Sequence, residues 1–133
     1  MNPAASPAKA FHVWFSTKGR RPALVDVIRD SVEASFQEIA HRTGINILEM
    51  LAIEDHVHLL LSLPPGQNLA TAMHDLKGAT ARLVYQRFPE LRLDMGSNSF
   101  WQKGYGYRLV PPDQTEVVRQ YIRTQERRPL RHE

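Results

Sequence analysis

The sequence contains no cysteine. That removes disulfides, thiolate metal ligands and cysteine nucleophiles, so any metal ion must be held by nitrogen and oxygen. It has no apolar run approaching the roughly 20 residues a membrane-spanning helix needs, and no membrane partner is expected. It has no glycine-rich loop of the type that cradles nucleotide phosphates, so no nucleotide cofactor is expected, and no Ser-His-Asp arrangement. The opening MNPAASPAKA lacks the apolar centre of a secretory signal. Residues 1–9 read as a flexible lead-in, and a cytoplasmic location is the expectation.

What is present fits one globular domain over 1–133, with 42% apolar and 23% charged residues. The formal charge of +3 suits a polyanionic partner only weakly. Its placement says more: Lys18, Arg20 and Arg21 follow the first apolar run, Lys77 and Arg82 share a helical stretch, and Lys103 and Arg108 flank an aromatic one. Arg123, Arg127, Arg128 and Arg131 crowd the end of the chain.

The apolar pattern predicts strands over 10–18, 45–54, 56–63 and 100–110. Helical spacing predicts helices over 24–42, 69–88 and 114–127, with Gly44 stopping the first. Residues 89–99, PELRLDMGSNS, read as a loop. The order β-α-β-β-α-β-α implies an α+β fold: a ferredoxin-like, RRM-like antiparallel four-stranded sheet with two helices on one face, plus an extra C-terminal helix.

The segment 53-IEDHVHLLLSL-63 sets the functional question. In a strand, His56 and His58 project to one face with Leu60, while Val57, Leu59 and Leu61 face the other, toward the helices. Two such imidazoles can share one metal ion. On the last helix Tyr121 and Gln125 lie one turn apart on the same face. A phenol can attack phosphorus and form a covalent ester, and an amide oxygen can complete a coordination shell. Taken alone, the apolar stripe Val117, Val118, Tyr121 and Ile122 favours reading Tyr121 as core.

The runs 55-DHVHLLLSLPP-65, 76-LKGATARLVYQRFPEL-91, 100-FWQKGYGY-107 and 117-VVRQYIRTQE-126, with 12-HVWFSTKGRRPAL-24, resemble the small HUH-type single-tyrosine transposases, the TnpA enzymes of the insertion-sequence 200/605 group. The resemblance spans roughly Phe11 to Glu126. It departs from the family at Glu54, before Asp55-His56, and at Gly19, between Lys18 and Arg20.

The resemblance implies that His56, His58 and Gln125 bind a divalent ion, expected to be Mg²⁺ or Mn²⁺, and that Tyr121 is the nucleophile. It implies cleavage and rejoining of single-stranded DNA at hairpins near an element's ends. It also implies a homodimer, in which the tyrosine helix of one subunit can complete the other's site. Neutral imidazoles would be required, so activity is expected to fall below about pH 6.5.

DNA contacts are expected from Lys18, Arg20, Arg21, Lys77, Arg82 and Lys103, with Tyr105 and Tyr107 suited to stacking on unpaired bases. Asp55 suits either a turn or the orientation of a histidine. His12 reads as a plain strand residue. The competing functions are a retired transposase that only grips single-stranded nucleic acid and a phosphodiesterase that uses water.

Overall fold

The computed structural model describes residues 8–125. The expected lead-in, apart from its last two residues, and the arginines beyond Gln125 lie outside the described residues. Four strands, β1 (Lys9–Ser16), β2 (Asn46–Ile53), β3 (His56–Leu63) and β4 (Gly106–Val110), form one sheet in the order β2-β3-β1-β4. All neighbours are antiparallel. The helices are α1 (Asp26–Thr43), α2 (Leu69–Arg87), α3 (Leu91–Met95) and α4 (Thr115–Thr124). This is the ferredoxin-like plan with two helices added.

The local chemistry explains the boundaries. Gly44 adopts φ 80°, the left-handed conformation that ends α1 without a Cβ penalty. The Asn68 side chain accepts from the Thr71 amide at 2.8 Å, capping an otherwise orphaned donor at the start of α2.

Strand β3 is buried on both faces. Val57, Leu59 and Leu61 join Val13, Phe15, Phe36 and Leu76 in the main core beneath α1 and α2. Leu60 faces the other way and packs with Val110 and Ile122 beneath α4. That face is also tied by charge: Glu49 on β2 accepts from Arg123 at 3.1 Å, and Arg119 stands 3.5 Å away. A bulge in β2 between Ile47 and Glu49 places Glu49 opposite Leu60 and so on the α4 side.

Two expectations need correction. Residues 89–99 contain α3, whose Leu91 and Met95 are both buried one turn apart. The predicted strand 100–110 forms only from Gly106; Phe100 and Trp101 are core anchors instead, with Trp101 making an isolated bridge to Thr17. Gly104 takes φ 88°, and the Lys77 ammonium donates to the carbonyls of Gln102 (2.9 Å) and Gly104 (2.6 Å), diverting those groups from the ladder. Within α1, Val27 is exposed.

Because Ile122 is the fully buried member of the α4 contact, Ile122→Ala is expected to cost about 2–4 kcal/mol of local stability. Hydrogen exchange should show α4 amides losing protection while β3 amides keep theirs. Equal loss in both would mean that α4 is not a separable layer.

Candidate active site

Pairing of β1 with β3 sets Trp14 opposite His58 and Ser16 opposite His56. These residues and His12 therefore share the sheet face that α4 covers. His56 and His58 are 3% and 4% exposed, so each ring nitrogen must be accounted for. The Nδ1 of His56 lies 2.9 Å from Asp55 Oδ1, and that of His58 lies 3.0 Å from His12 Nε2. The Nε2 atoms of both histidines are buried without a hydrogen-bond partner among the described residues.

An ionised Asp55 only accepts, so His56 carries its proton on Nδ1 and keeps a lone pair on Nε2. Burial alone would raise Asp55, but hydrogen bonds from His56 and Arg20 and the Arg20 charge outweigh it and hold the carboxyl below its ordinary value. Two orphaned imidazole nitrogens, backed through their other nitrogens, are a donor set that fits a divalent metal. Among the described residues no three His, Cys, Asp or Glu side chains gather in a metal-binding group. A third protein ligand would have to be of another kind, as the amide of Gln125 is; Gln125 is buried at the end of α4.

The Tyr121 ring lies 5.9 Å from His12 and 6.4 Å from His58, centroid to centroid, within one chain, and is 48% exposed. A half-exposed phenol beside buried imidazoles is accessible from solvent. A cavity of about 80 Å³ is lined by Trp14, Phe15, Ser16, Arg20, His56 and His58. Arg20 donates from Nε to Asp55 Oδ2 at 3.3 Å, while its Nη2 is buried without a partner. Gly19 and Arg20 both take positive φ, 62° and 53°. For Arg20 that costs about 1–2 kcal/mol. Thr17 holds the turn, its hydroxyl donating to Arg21 O at 2.6 Å.

The remaining expected DNA contacts are dispersed. Lys18, Lys77, Lys103 and Tyr105 line a separate open groove of about 640 Å³ beside α2. The Lys77 ammonium is already committed to backbone carbonyls. Arg82 borders a third hollow between α1 and α2, and Arg21 a fourth near α3. Tyr107 is exposed on edge strand β4. His74 is exposed, and Tyr85 is buried, donating to Ser97 O at 2.9 Å.

Three residues of the histidine face were not assigned to the site from sequence. They are His12, Trp14 and Arg108, whose guanidinium carbon lies 5.9 Å from the Trp14 ring centroid. The period-two alternation of β1 already put His12 opposite to Val13 and Phe15. Its neighbour His58, however, depends on strand register. Gly106 is required beneath Trp14, because a Cβ there would collide with the indole.

A family model described as "Transposase IS200 like" matches residues 6–125. The chain belongs to the IS200-like transposase family. The ISDra2 transposase TnpA of Deinococcus radiodurans is 30% identical over 115 residues, 86% of this chain and 82% of that one. The transposase for insertion sequence element IS200 of Salmonella typhimurium is 30% identical over 115 residues, covering 86% of this chain and 75% of its own.

Among solved structures, a Deinococcus radiodurans R1 protein assigned as a transposase superposes with a TM-score of 0.77 at 27% identity. That match covers 94% of this chain and 96% of the other. A REP-associated tyrosine transposase bound to a REP hairpin shares the fold, with a TM-score of 0.67 at 12% identity, over 94% and 70% of the two chains. Family membership carries DNA recombination as the activity class. No helix among the described residues is long and apolar enough to cross a membrane.

Burial and the nearby Arg108 cation lower His12 to about 4; burial, with His12 and His56 alongside, lowers His58 to about 3. Both regain ordinary basicity, near 6.5, on unfolding. The unfolded chain thus binds more protons between those values, and stability fully present above pH 6.5 is lost as pH falls toward 4 and below. Each group contributes a slope of at most about 1.4 kcal/mol per pH unit. Urea unfolding of the metal-free protein from about pH 7.5 to about pH 4.5 should show this decline. A flat profile would contradict buried neutral imidazoles.

Proposed function

We propose that this family member is an HUH-class, divalent-metal-dependent strand transferase that cleaves and rejoins single-stranded DNA through Tyr121. The observation that carries the reading is the pair of buried, unpartnered Nε2 atoms of His56 and His58 with the Tyr121 ring beside them. His56, His58 and Gln125 would hold Mg²⁺ or Mn²⁺. When bound, the ion supplies Lewis-acid stabilisation of charge on a phosphodiester.

The chain's own groups do the rest. The Tyr121 hydroxyl oxygen gives up its proton to solvent and forms a bond to phosphorus as the bond to the 3′ oxygen breaks. The products are a 5′-phosphotyrosine and a 3′-hydroxyl, the leaving oxygen having taken up a proton. Because the ester bond is conserved, a 3′-hydroxyl can reverse the step without ATP. The unpartnered Nη2 of Arg20, aimed into the same cavity, suits a non-bridging phosphate oxygen. Its fixed position, with Nε on Asp55, lowers the ordering cost of that contact.

Lys18, Lys103 and Tyr105, sharing a groove, suit the flanking strand, with Lys77 shaping its wall. Arg21, Arg82 and Tyr107 are proposed as peripheral contacts. Hairpin recognition is proposed from the family and accords with the hairpin held by the REP-associated neighbour on the same fold. A homodimer is supported by the exposed apolar side chains of Tyr107, Leu109 and Val117 on edge strand β4 and on α4. A single domain over 1–133 acting in the cytoplasm is part of the same proposal.

Tyr121→Phe is expected to lower cleavage of hairpin-bearing single-stranded DNA by at least about 10³-fold while leaving hairpin binding within about twofold. Product release by Tyr121→Phe at the native rate would point to water as nucleophile. Binding without cleavage by the native protein, with Mn²⁺ present, would support a retired binding module.

A further inference from the structure

We propose that His12 is a positioning residue that fixes the tautomer of His58, acting as an obligatory neutral acceptor behind the metal site. The inference rests on the metal-ligand reading above. His12 and His58 are diagonal neighbours across the β1–β3 ladder, because His12 pairs with Leu60 and His58 with Trp14. Their rings are 5.2 Å apart, and His12 Nε2 lies 3.0 Å from His58 Nδ1, with both residues 4% exposed.

Between two neutral imidazoles one bond can be made in two senses, and the choice sets the chemistry. If His12 Nε2 donated, His58 would carry its remaining proton on Nε2, and that nitrogen could bind no cation. If His12 Nε2 accepts from His58 Nδ1–H, the His58 Nε2 lone pair is free. The two ligands thus have unlike supports. His56 is set by a carboxylate, Asp55, which can only accept. His58 is set by a group that must itself hold its proton on Nδ1.

Using imidazole in place of a second carboxylate keeps the two-histidine site less negative where a phosphodiester must approach. Among the described residues the His58 ring makes no other hydrogen bond, and its Nε2 is unpartnered. His12 is therefore the group able to select the tautomer. Phenylalanine at position 12 would retain a ring against Trp14 and Tyr121, whose centroids lie 4.9 Å and 5.9 Å away, and delete the Nε2 acceptor together with the Nδ1 donor.

The test uses native protein, His12→Phe and His12→Gln, whose amide oxygen can still accept. Imidazole ¹⁵N NMR of the metal-free proteins reads the tautomer directly, and calorimetric titration with Mn²⁺ alone reads affinity. The expected result is His58 protonated on Nδ1 in the native protein, and a mixture or the Nε2–H form in His12→Phe. Mn²⁺ affinity should weaken about 10–100-fold in His12→Phe and recover in part in His12→Gln.

Native His58 protonated on Nε2 would overturn the inference. So would unchanged Mn²⁺ affinity in His12→Phe. Native protein that binds no Mn²⁺ would instead sink the metal reading itself, and the NMR result would still decide which way the His12–His58 bond runs. Circular dichroism of each variant separates a tautomer effect from unfolding: loss of affinity with loss of fold in both variants would count against a specific positioning role.

Discussion

The site depends on β3 being buried on both faces. A strand beneath helices on one side only could carry His56 and His58 as solvated side chains. Here α4 closes the second face through Leu60, Val110 and Ile122, with Tyr121 beside His58, and both imidazoles are buried. Desolvated polar groups must find partners or remain orphaned at a cost of about 1–3 kcal/mol each. The fold meets half of that demand, with Asp55 and His12 on the two Nδ1 atoms, and leaves both Nε2 atoms open. Among the described residues Thr80 Oγ1 and Trp101 Nε1 are also buried without a partner; what distinguishes the histidines is that their two open nitrogens sit on neighbouring same-face positions of one strand, as a shared ligand requires.

The helix that covers this face also carries Tyr121, the proposed nucleophile. Ile122 points into the sheet while Tyr121, its neighbour, stays half exposed. One docking interaction thus governs desolvation of His58, the position of Tyr121 and burial of Gln125. Glu49 contributes orientation, gripping Arg123 and Arg119 from a bulged position on β2. Exposed ion pairs of this kind add little stability. They do tie α4 to β2 at two points one turn apart. On the far side of the histidines, the left-handed turn at Gly19 and Arg20 brings a guanidinium to the same cavity. Backbone strain of that kind persists only where surrounding contacts over-determine it, as the Thr17 hydroxyl and the Asp55 carboxylate do here.

Much of this was legible in the sequence because strands alternate. The period of β3 assigned His56, His58 and Leu60 to one face and Val57, Leu59 and Leu61 to the other. The spacing of Tyr121 and Gln125 made the last helix suspect, and the βαββαβ order gave the sheet. What stayed hidden depended on register or on long-range contacts. His12 looked ordinary because its partner lies 46 residues away.

Residues 100–110 read as a continuous strand since aromatic residues favour both strands and cores. Nothing local announced that Lys77 would engage the carbonyls of Gln102 and Gly104. Helix α3 escaped because five residues give too short a period to stand out, although Leu91 and Met95 hold the required spacing. Basic residues were the least informative. Arg20 reached the site, whereas Lys77 and Arg82 went elsewhere, because charge marks exposure and not direction.

The most direct test is to locate the covalent bond. Native protein would be mixed with Mn²⁺ and single-stranded hairpins from the flanks of its own gene. Denatured adducts would then be digested and sequenced by mass spectrometry. The account predicts a nucleotide phosphate on the peptide bearing Tyr121, absent when the ion is chelated. An adduct on another tyrosine such as Tyr85 or Tyr105, or the Tyr121 adduct formed equally well with chelator present, would contradict it.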